Sequence, residues 1–262
     1  MKYIIKIIVS ISLCILIYGL VNSMVVIKKD YNISSSTLNN NYKICFISDL
    51  HYGAKQPSFV IDNLIKSLNN ENLDILILGG DIVEEETDIE ELIEILAKLS
   101  SINTNYGIFY VYGNHDMKFE KIQKVSILDC LSTTDIKLLA DNNICINELN
   151  IVGRRDAHKE YLTRKDISML YDKSKYNIVI DHMPVDFKYN SYIGYDLQLS
   201  GHTHAGQIMI GNIITSNEHE YMYGKHNIGD SSIIVSSGCG VSKIPIRTME
   251  HCEYVIINLR KE

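Results

Sequence analysis

Four strand-like runs of this chain each end in a short polar motif that contains Gly, Asp or His. One of them, residues 106–112, leads directly into Gly113-Asn114-His115-Asp116. In open α/β sheets, the side chains that follow buried parallel strands gather at the carboxyl edge, where binding sites form. The other runs and motifs are 43–48 with Asp49-Leu50-His51, 73–78 with Gly79-Gly80-Asp81, and 197–200 with Gly201-His202-Thr203-His204. The pattern therefore predicts an α/β fold with a polar site along a sheet edge.

The segments between these runs predict helices that connect parallel strands. Apolar residues recur at helical spacing near residues 58–69 and 88–100, as expected for amphipathic helices packed on a sheet. The other predicted elements are helices at 118–131 and 164–172, and strands at 24–33, 136–139, 144–146, 149–152, 176–180, 207–210, 232–236 and 253–259. A chain of 262 residues is long enough to bury one substantial core of this kind.

The first residues predict a membrane anchor. Residues 4–23 are almost wholly apolar, and about twenty residues of helix span the roughly 30 Å hydrocarbon core of a bilayer. A cleaved signal peptide is the alternative, but Gly19-Leu20-Val21-Asn22-Ser23 is a poor cleavage site. Lysines lie on both sides of the span, so the positive-inside rule hardly favours either orientation in the membrane. The predicted organisation is an anchor at 1–23, a first strand and linker at 24–41, and one domain at 42–262.

The charge and the cysteines argue against two kinds of site. The net charge is −7, and because residues 1–30 hold four Lys and one Asp, a net of +3, the rest of the chain carries −10. Such an acidic domain repels a phosphate backbone unless bound cations offset it, so nucleic acid is disfavoured as a partner. Six cysteines are present without a Cys-x-x-Cys pair, which argues against a thiolate zinc site and predicts free thiols.

The ordered motifs resemble those of the calcineurin-like metallophosphoesterases. That family's signature is Asp-x-His, Gly-Asp, Gly-Asn-His-Asp/Glu, a lone His and Gly-His-x-His, and all five occur here in order between about residues 42 and 259, with His182 as the lone His. Each motif alone could be a cap, a turn or an exposed loop, whereas five in order are specific. The resemblance implies two facing mixed β-sheets flanked by helices, a four-layer αββα sandwich, preceded by an N-terminal transmembrane helix.

The resemblance also implies a site for two divalent metal ions. Carried over position by position, the ligands of the first metal are Asp49, His51 and His204, Asp81 bridges the two metals, and Asn114, His182 and His202 complete the second site. This mixture of nitrogen and oxygen donors suits manganese, iron or zinc.

His115 occupies a position that the family uses for catalysis. It would stabilise the transition state or protonate the leaving oxygen. Glu84 would orient His115, with a solvated glutamate at a helix start as the alternative, and Asp116 would support the site as a neighbour of the ligands. Glu85 and Glu86 are predicted to form the solvated start of the second helix, favoured there by the helix dipole.

Several residues of the tail are assigned from the same resemblance. Arg247 is interpreted as one partner of a surface ion pair, with contact to a substrate phosphate as the alternative. Ala205 and Cys252 depart from the family pattern, which usually has Gly and Pro there, and neither departure removes a ligand. The histidines that match no motif are predicted to be structural or exposed: His158, His219, His226 and His251.

The implied activity is hydrolysis of a phosphomonoester, phosphodiester or diphosphate through a hydroxide activated by two metals. Resemblance to the membrane-anchored bacterial branch of the family implies a catalytic domain outside the cytoplasm and a phosphorylated small-molecule or lipid-linked substrate. Two alternatives stay open. A nuclease is disfavoured by the acidic charge, and a catalytically silent, metal-bound scaffold for protein partners is disfavoured because the ligands and His115 are all present.

Overall fold

The computed structural model describes residues 1–53, 57–156, 164–208 and 219–262. In chain order the elements are α1 (Lys2–Asn22), β1 (Val26–Ser35), β2 (Tyr42–Ile47), α2 (Ser58–Asn69), β3 (Leu73–Leu78), α3 (Ile89–Ser100), β4 (Thr104–Tyr110), α4 (Asn114–Gln123), α5 (Ile127–Leu131), β5 (Ile136–Leu138), β6 (Asn142–Ile146), β7 (Leu149–Gly153), β8 (Tyr176–Ile180), α6 (Phe187–Ile193), β9 (Leu197–Ser200), β10 (Gly224–Ile228), β11 (Ser231–Val235) and β12 (Cys252–Lys261).

The strands form two six-stranded mixed sheets, as predicted. The first sheet has the order β1-β12-β2-β3-β4-β5, and the second has the order β10-β11-β9-β8-β7-β6. The central strands β2, β3 and β4 pair in parallel, and so do β7, β8 and β9. Antiparallel pairs join β12 to β2, β10 to β11 and β6 to β7. Both sheets therefore present a set of parallel carboxyl ends.

Alternation along the strands builds the four layers, because successive side chains of a strand point to opposite faces. In β2, Cys45 and Ile47 pack in the cluster that includes α2 and α3. Ile44 and Phe46 point the other way, into a buried cluster with residues of β7, β8 and β9. Phe187 of α6 packs on β11 at the outer face of the second sheet. The layers are thus helices, first sheet, second sheet and a thinner outer layer.

Three predicted elements differ from the structure. The single helix predicted at 118–131 is wrong, because α4 begins at Asn114 and Lys124, with a left-handed φ of 56°, separates it from α5. The helix predicted at 164–172 reduces to one 3₁₀ turn, Ser168–Leu170. The strand predicted at 207–210 begins instead with a turn at Gln207, and its end lies outside the described residues.

Two elements were absent from the prediction. Residues 187–193 form α6, a helix of seven residues, which is too short to show a full apolar stripe. Residues 224–228 form β10, an edge strand with intermediate or exposed side chains that pairs with β11. This segment has no hydrophobic pattern typical of a strand. It forms a strand because it pairs with β11.

The N-terminal segment forms α1, an exposed apolar helix. Among the described helices it is the one long and apolar enough to cross a membrane, judged by length and composition. Its first residues make no buried contacts, whereas Gly19 and Asn22 in the last turn are buried against the domain. The chain then continues into β1 at the edge of the first sheet.

Candidate metal centre and active site

The predicted site residues lie where strands of both sheets end. Asp49 and His51 follow β2, Asp81 follows β3, Asn114 follows β4, His182 follows β8, and His202 and His204 follow β9. The two sheets face each other, so their carboxyl ends meet along one edge. Residues from the two halves of the chain come into contact there, as His51 does with His204.

Five of the predicted ligands have a backbone conformation that residues other than Gly rarely adopt. The φ angle is 52° at Asp49, 48° at His51, 51° at Asp81, 72° at His202 and 50° at His204. Such left-handed residues carry strain and cluster at functional sites. Neighbouring backbone holds them in place, since Asp49 N donates to Gly80 O at 2.9 Å and His51 N donates to Asp81 O at 3.0 Å. Backbone hydrogen bonds thus connect the strand ends at the positions of the predicted ligands.

Asp49, His51 and His204 form a first group of candidate ligands. One donor atom of each lies within 4.8 Å of the others. Nε2 of His51 is 3.0 Å from Nε2 of His204, which is 3.5 Å from Asp49 Oδ1. All three side chains are buried. These are the residues that the sequence predicts for the first metal.

Asp81, His182 and His202 form a second group with the same spacing of donor atoms. Nε2 of His182 lies 2.9 Å from Asp81 Oδ2 and 4.0 Å from Asp49 Oδ1, so the two groups adjoin. Nδ1 of His182 donates to Gly79 O at 2.8 Å. That hydrogen bond fixes the ring and leaves Nε2 toward the carboxylates, the usual arrangement of a histidine ligand.

The residues present fit two divalent cations. The donors are imidazole nitrogens and carboxylate oxygens, which manganese, iron and zinc accept. Asn114 Oδ1 is also buried, and among the described residues it has no hydrogen-bond partner. A buried amide oxygen without a partner is costly, and coordination of a cation would satisfy it.

The titration of these groups follows from their burial and mutual contacts. Burial alone would raise the pKa of Asp81, but the His182 ring holds it well below its usual range. Burial and the neighbouring His182 lower the pKa of His202 to about 3. Burial, His51 and Arg247 lower the pKa of His204. A charged Asp81 and neutral His202 and His204 are the forms that bind cations.

Two glycines allow the strand ends to approach each other. A Cβ on Gly113 would lie 2.2 Å from Asp81 Oδ1. A Cβ on Gly80, whose φ is 91°, would lie 2.6 Å from the nitrogen of Gly113. Because nothing larger than hydrogen fits at either position, the glycines of the Gly-Asp and Gly-Asn motifs are required by packing.

Asp116 ties the end of β3 to the start of α4. Its carboxylate accepts hydrogen bonds from the backbone nitrogens of Asp81 at 2.7 Å, Gly113 at 2.8 Å, Ile82 at 3.0 Å and Val83 at 3.3 Å. Burial, followed by the charge of Asp81, raises the pKa of Asp116 to about 6. Asp116 therefore shapes the backbone around Asp81 and Asn114.

His115 lies beside the first group and contacts carboxylates at Nδ1. Its ring packs edge-on against His51, with 5.0 Å between the ring centroids. Nδ1 is 2.8 Å from Glu84 Oε2 and also contacts Glu85 Oε2. Burial alone would lower the pKa of His115, but Glu84 and then Asp81 raise it to about 9. These carboxylates thus favour the protonated form of the ring.

Glu84 and Glu85 both belong to the surroundings of His115. Glu84 is buried, and its Oε1 lies 2.9 Å from His51 Nδ1, so it joins the two imidazoles. The prediction that Glu85 is solvated at a helix start is wrong, because Glu85 contacts His115. The acidic run lies in the loop after β3, and α3 begins beyond it at Ile89. Glu86 is exposed, as predicted, but it lies before the helix, whose N-cap is Asp88.

Arg247 does not form the predicted surface ion pair. Its side chain is fully buried, and in the described parts of the chain it contacts backbone carbonyls and His204. Nη2 lies 3.1 Å from His204 Nδ1 and donates to the carbonyls of Ser237 and Gly240. The local sequence does not show this burial, because it depends on residues distant in sequence, such as His204.

An ionic cluster next to His182, in which Arg154 and Asp181 are buried, has no signal in the sequence. Asp181 contacts Arg164, and Arg154 Nη1 lies 3.8 Å from Asp181 Oδ2 and 3.1 Å from Asp186 Oδ2. Burial raises the pKa of Asp181 to about 6 although the arginines oppose that shift. These residues come from separate segments around β7 and β8, and only the fold brings them together.

The histidines outside the motifs have varied surroundings. His219, predicted to be structural or exposed, packs edge-on against His202 with 5.5 Å between ring centroids. His226 donates from Nε2 to a backbone carbonyl at 2.8 Å. His251 is partly buried, and His158 lies outside the described residues. Ala205, where the related family usually has Gly, has a left-handed φ of 50°, which explains why Gly would suit that position.

The two facing sheets, with His and Asp groups at their shared edge, define a protein of the metallophosphoesterase class. The chain belongs to the calcineurin-like phosphoesterase family, whose model matches residues 42–206. This family membership agrees with the resemblance carried by the five motifs.

Individual relatives support the family and the fold. A metallophosphoesterase of Helicobacter pylori strain J99 is 31% identical over 88% of this chain and 63% of that protein. The chain thus spans less than two thirds of that relative's length. A transmembrane protein with a metallophosphoesterase domain from Bos taurus is 24% identical over 82% of this chain and 52% of that protein. One crystal structure, 11% identical, matches 77% of this chain and 91% of its own with a TM-score of 0.50, which shows the fold alone.

Proposed function

We propose that this protein hydrolyses a phosphoester or diphosphate bond at a centre for two divalent cations. The observation that carries the proposal is the pair of buried groups, Asp49 with His51 and His204, and Asp81 with His182 and His202, which adjoin at the shared sheet edge beside His115. When bound, such cations acidify a water molecule and offset the negative charge of the phosphoryl oxygens.

We assign the following roles to the residues of the site. Asp49, His51 and His204 would hold one cation, and Asn114, His182 and His202 would hold the other. Asp81, whose Oδ2 lies 2.9 Å from His182 Nε2, would be shared by the two cations, as the family's pattern implies. Asp116 keeps the backbone around Asp81 in place through its four hydrogen bonds.

His115 would act on the substrate. Its Nδ1 is occupied by Glu84 and Glu85, which leaves Nε2 to interact with a phosphoryl oxygen or to protonate the leaving oxygen. A cationic imidazole suits both tasks, because each opposes negative charge that develops in the transition state. The water oxygen forms a bond to phosphorus as the bond to the leaving oxygen breaks; the leaving oxygen takes a proton, and the proton released by the water passes to solvent.

The reaction type can be tested on the full chain in detergent. A phosphomonoester, a phosphodiester, a nucleoside diphosphate, a lipid diphosphate and DNA are incubated with the protein and added manganese, with Asp81→Asn as the inactive control. Hydrolysis of at least one of the first four, lost in the control, supports the proposal. Cleavage of DNA alone would favour the nuclease, and two bound metals without any turnover would favour the scaffold.

A membrane-associated substrate is favoured by the position of α1. The last turn of this apolar helix packs against residues 245–248 of the domain, and Arg247 of that segment contacts His204. A site this close to the anchor would stay near the bilayer surface. We therefore propose a lipid-linked phosphoester or diphosphate, which the lipid diphosphate in the panel tests against the soluble substrates.

We also propose that the catalytic domain lies outside the cytoplasm. Cys145 is exposed and distant in sequence from the predicted ligands, so it can report on the side of the membrane. In a Cys130→Ala background, a membrane-impermeant maleimide added to intact cells should label Cys145. Cys145→Ala is the control, and labelling that requires cell lysis would place the domain in the cytoplasm.

A further inference from the structure

The last turn of α1 differs from the rest of the helix in its surroundings. Residues 2–18 are exposed, whereas Gly19, Asn22 and the following Ser23 are buried. The burial comes from residues 245–248, which lie just before β12. A helix that served only as a tether would not need a buried face at its end, so this contact points to a second role.

Hydrogen bonds connect the last turn of α1 to Arg247 through both backbone groups of that arginine. The nitrogen of Arg247 donates to Gly19 O at 3.0 Å, and Asn22 Nδ2 donates to Arg247 O at 3.1 Å. Ser23 Oγ adds a bond to Pro245 O at 3.0 Å. The position of the Arg247 backbone is therefore set by the anchor helix.

Close packing accompanies these hydrogen bonds. A Cβ on Gly19 would lie 2.5 Å from Ile246 Cγ2, so a larger residue would push α1 away from the segment. Cys252 at the start of β12 also contacts Ser23 O, with 3.6 Å from its sulfur. The end of α1 thus fits a specific surface of the domain.

The side chain of Arg247 continues from this contact to the candidate metal centre. Its Nη2 lies 3.1 Å from His204 Nδ1, on the side of the ring opposite Nε2, the atom that faces His51 and Asp49. The two hydrogens of Nη2 have the carbonyls of Ser237 and Gly240 as acceptors. These carbonyls hold the guanidinium against the Nδ1 edge of the His204 ring, and this close contact limits where the ring can lie.

Burying the charged side chain of Arg247 is energetically unfavourable. Its side chain is fully buried and, within the described residues, is held by carbonyl oxygens without a carboxylate. Removing a charge from water costs free energy that carbonyl groups offset only in part. An apolar side chain could fill the same space, but it could not hold Ser237, Gly240 and the His204 ring together.

We propose that the last turn of α1 and Arg247 form a positioning link that holds His204 for metal binding, so that the membrane anchor supports the metal centre directly. This inference rests on the proposed metal centre. It makes residues 19–23 part of the site's support, whereas the exposed residues 2–18 could be exchanged for another apolar helix without effect on the metals.

The test compares two substitutions in the same helical turn of the full chain in detergent. Asn22→Ala removes the bond to Arg247 O, and Val21→Ala, at a position that is 58% exposed, is its matched control. Arg247→Lys keeps the charge but loses the fork that contacts His204 and the carbonyls. Manganese binding is measured by calorimetry as two separate steps, together with KM, kcat and the melting temperature.

We expect Asn22→Ala and Arg247→Lys to weaken one manganese-binding step by about tenfold, the lower end of the range for residues that orient a ligand, and to leave the other step unchanged. Val21→Ala should bind as the native chain does. If Arg247→Lys does not fold, Asn22→Ala decides alone.

If Asn22→Ala binds manganese with native affinity in both steps, the contact with Arg247 serves only the stability of the fold, even if the melting temperature falls. That result would overturn the proposal. In that case the native chain would still bind two equivalents, and the proposed metal centre would stand. A native chain that binds no manganese would overturn both proposals.

Discussion

The imidazole of His115 is held at one nitrogen, where Glu84 and Glu85 contact Nδ1. The predicted ligands His51 and His182 also have a partner at Nδ1, but their Nε2 atoms face another imidazole or a carboxylate. At the scale of single residues, this difference separates a group that can exchange a proton from groups that can hold cations. It also allows the two roles to be removed independently.

Replacing His115 should affect turnover and spare the metals. We expect His115→Ala to bind two cations and to lose about 10²- to 10⁴-fold in kcat, the usual contribution of a positioned proton donor. Elemental analysis and steady-state kinetics on the active substrate provide the measurement, with His226→Ala as the control. Native turnover in His115→Ala would refute its role, and loss of the metals would make it a ligand.

Substitution and kinetics can also compare how much Glu84 and Glu85 each contribute to orienting His115. Glu84 contacts both His115 and His51, whereas Glu85 contacts His115 from a less buried position. We expect Glu84→Gln to lower kcat by about tenfold with little change in KM, and Glu85→Gln to have a smaller effect. The opposite order would show that Glu85 is the residue that orients His115.

At the scale of elements, the site depends on how closely the ends of β3 and β4 approach. Asp116 at the start of α4 binds backbone groups at the end of β3, and Gly113 leaves no space for a side chain. The helix break at Lys124 has a similar local origin, because a left-handed residue ends α4 and directs the chain into α5. The loops between the elements therefore set the positions of the predicted ligands.

Adding one methyl group at this approach should disable metal binding. Gly113→Ala would place Cβ 2.2 Å from Asp81 Oδ1, and we expect at least a tenfold loss of manganese affinity. Gly224→Ala is the matched control, since its φ is 87° and nothing lies within 4 Å of the added Cβ. The control should lose about 1–2 kcal/mol of stability through backbone strain and bind manganese normally. Equal manganese affinities in both variants would contradict this account.

At the scale of the whole molecule, the two sheets share the site. The first sheet supplies Asp49 and Asp81, and the second supplies His182 and His204, with contacts of 2.9–3.5 Å between them. Cations bound between these groups would join the sheets at this edge, in addition to the apolar core that the sheets enclose. Metal binding and the stability of the sandwich should therefore be linked.

Removing the metals should lower the stability of the domain. A cation present at about 100 times its dissociation constant stabilises a protein by about 2.7 kcal/mol, so chelation should reduce the free energy of unfolding by a similar amount. Melting curves with manganese and with EDTA measure the change, and Asp81→Asn, with its bridging carboxylate removed, should respond less. Identical curves for the native chain in both conditions would exclude the link between the metals and the fold.

The fold class and the candidate ligands could be predicted from the sequence because both depend on short-range patterns. Short apolar runs marked most strands and helical spacing marked the first two helices of the domain, and Leu73–Leu78 and Ser58–Asn69 have the predicted bounds. Parallel strands gather their carboxyl ends, so the motifs that follow them had to converge. The elements that were missed, α6 and β10, are short or partly exposed and lack such a pattern.

The amino-acid sequence alone determined which residues follow the strands, and therefore which Asp, His and Asn side chains meet at the sheet edge. Only the tertiary structure decided that Glu85 contacts His115, that Arg247 is buried against His204, and that α1 ends against the same segment. These contacts join residues as far apart as Asn22 and Arg247, separated by 225 positions. Local propensities cannot encode such pairs, because they depend on how the whole chain packs.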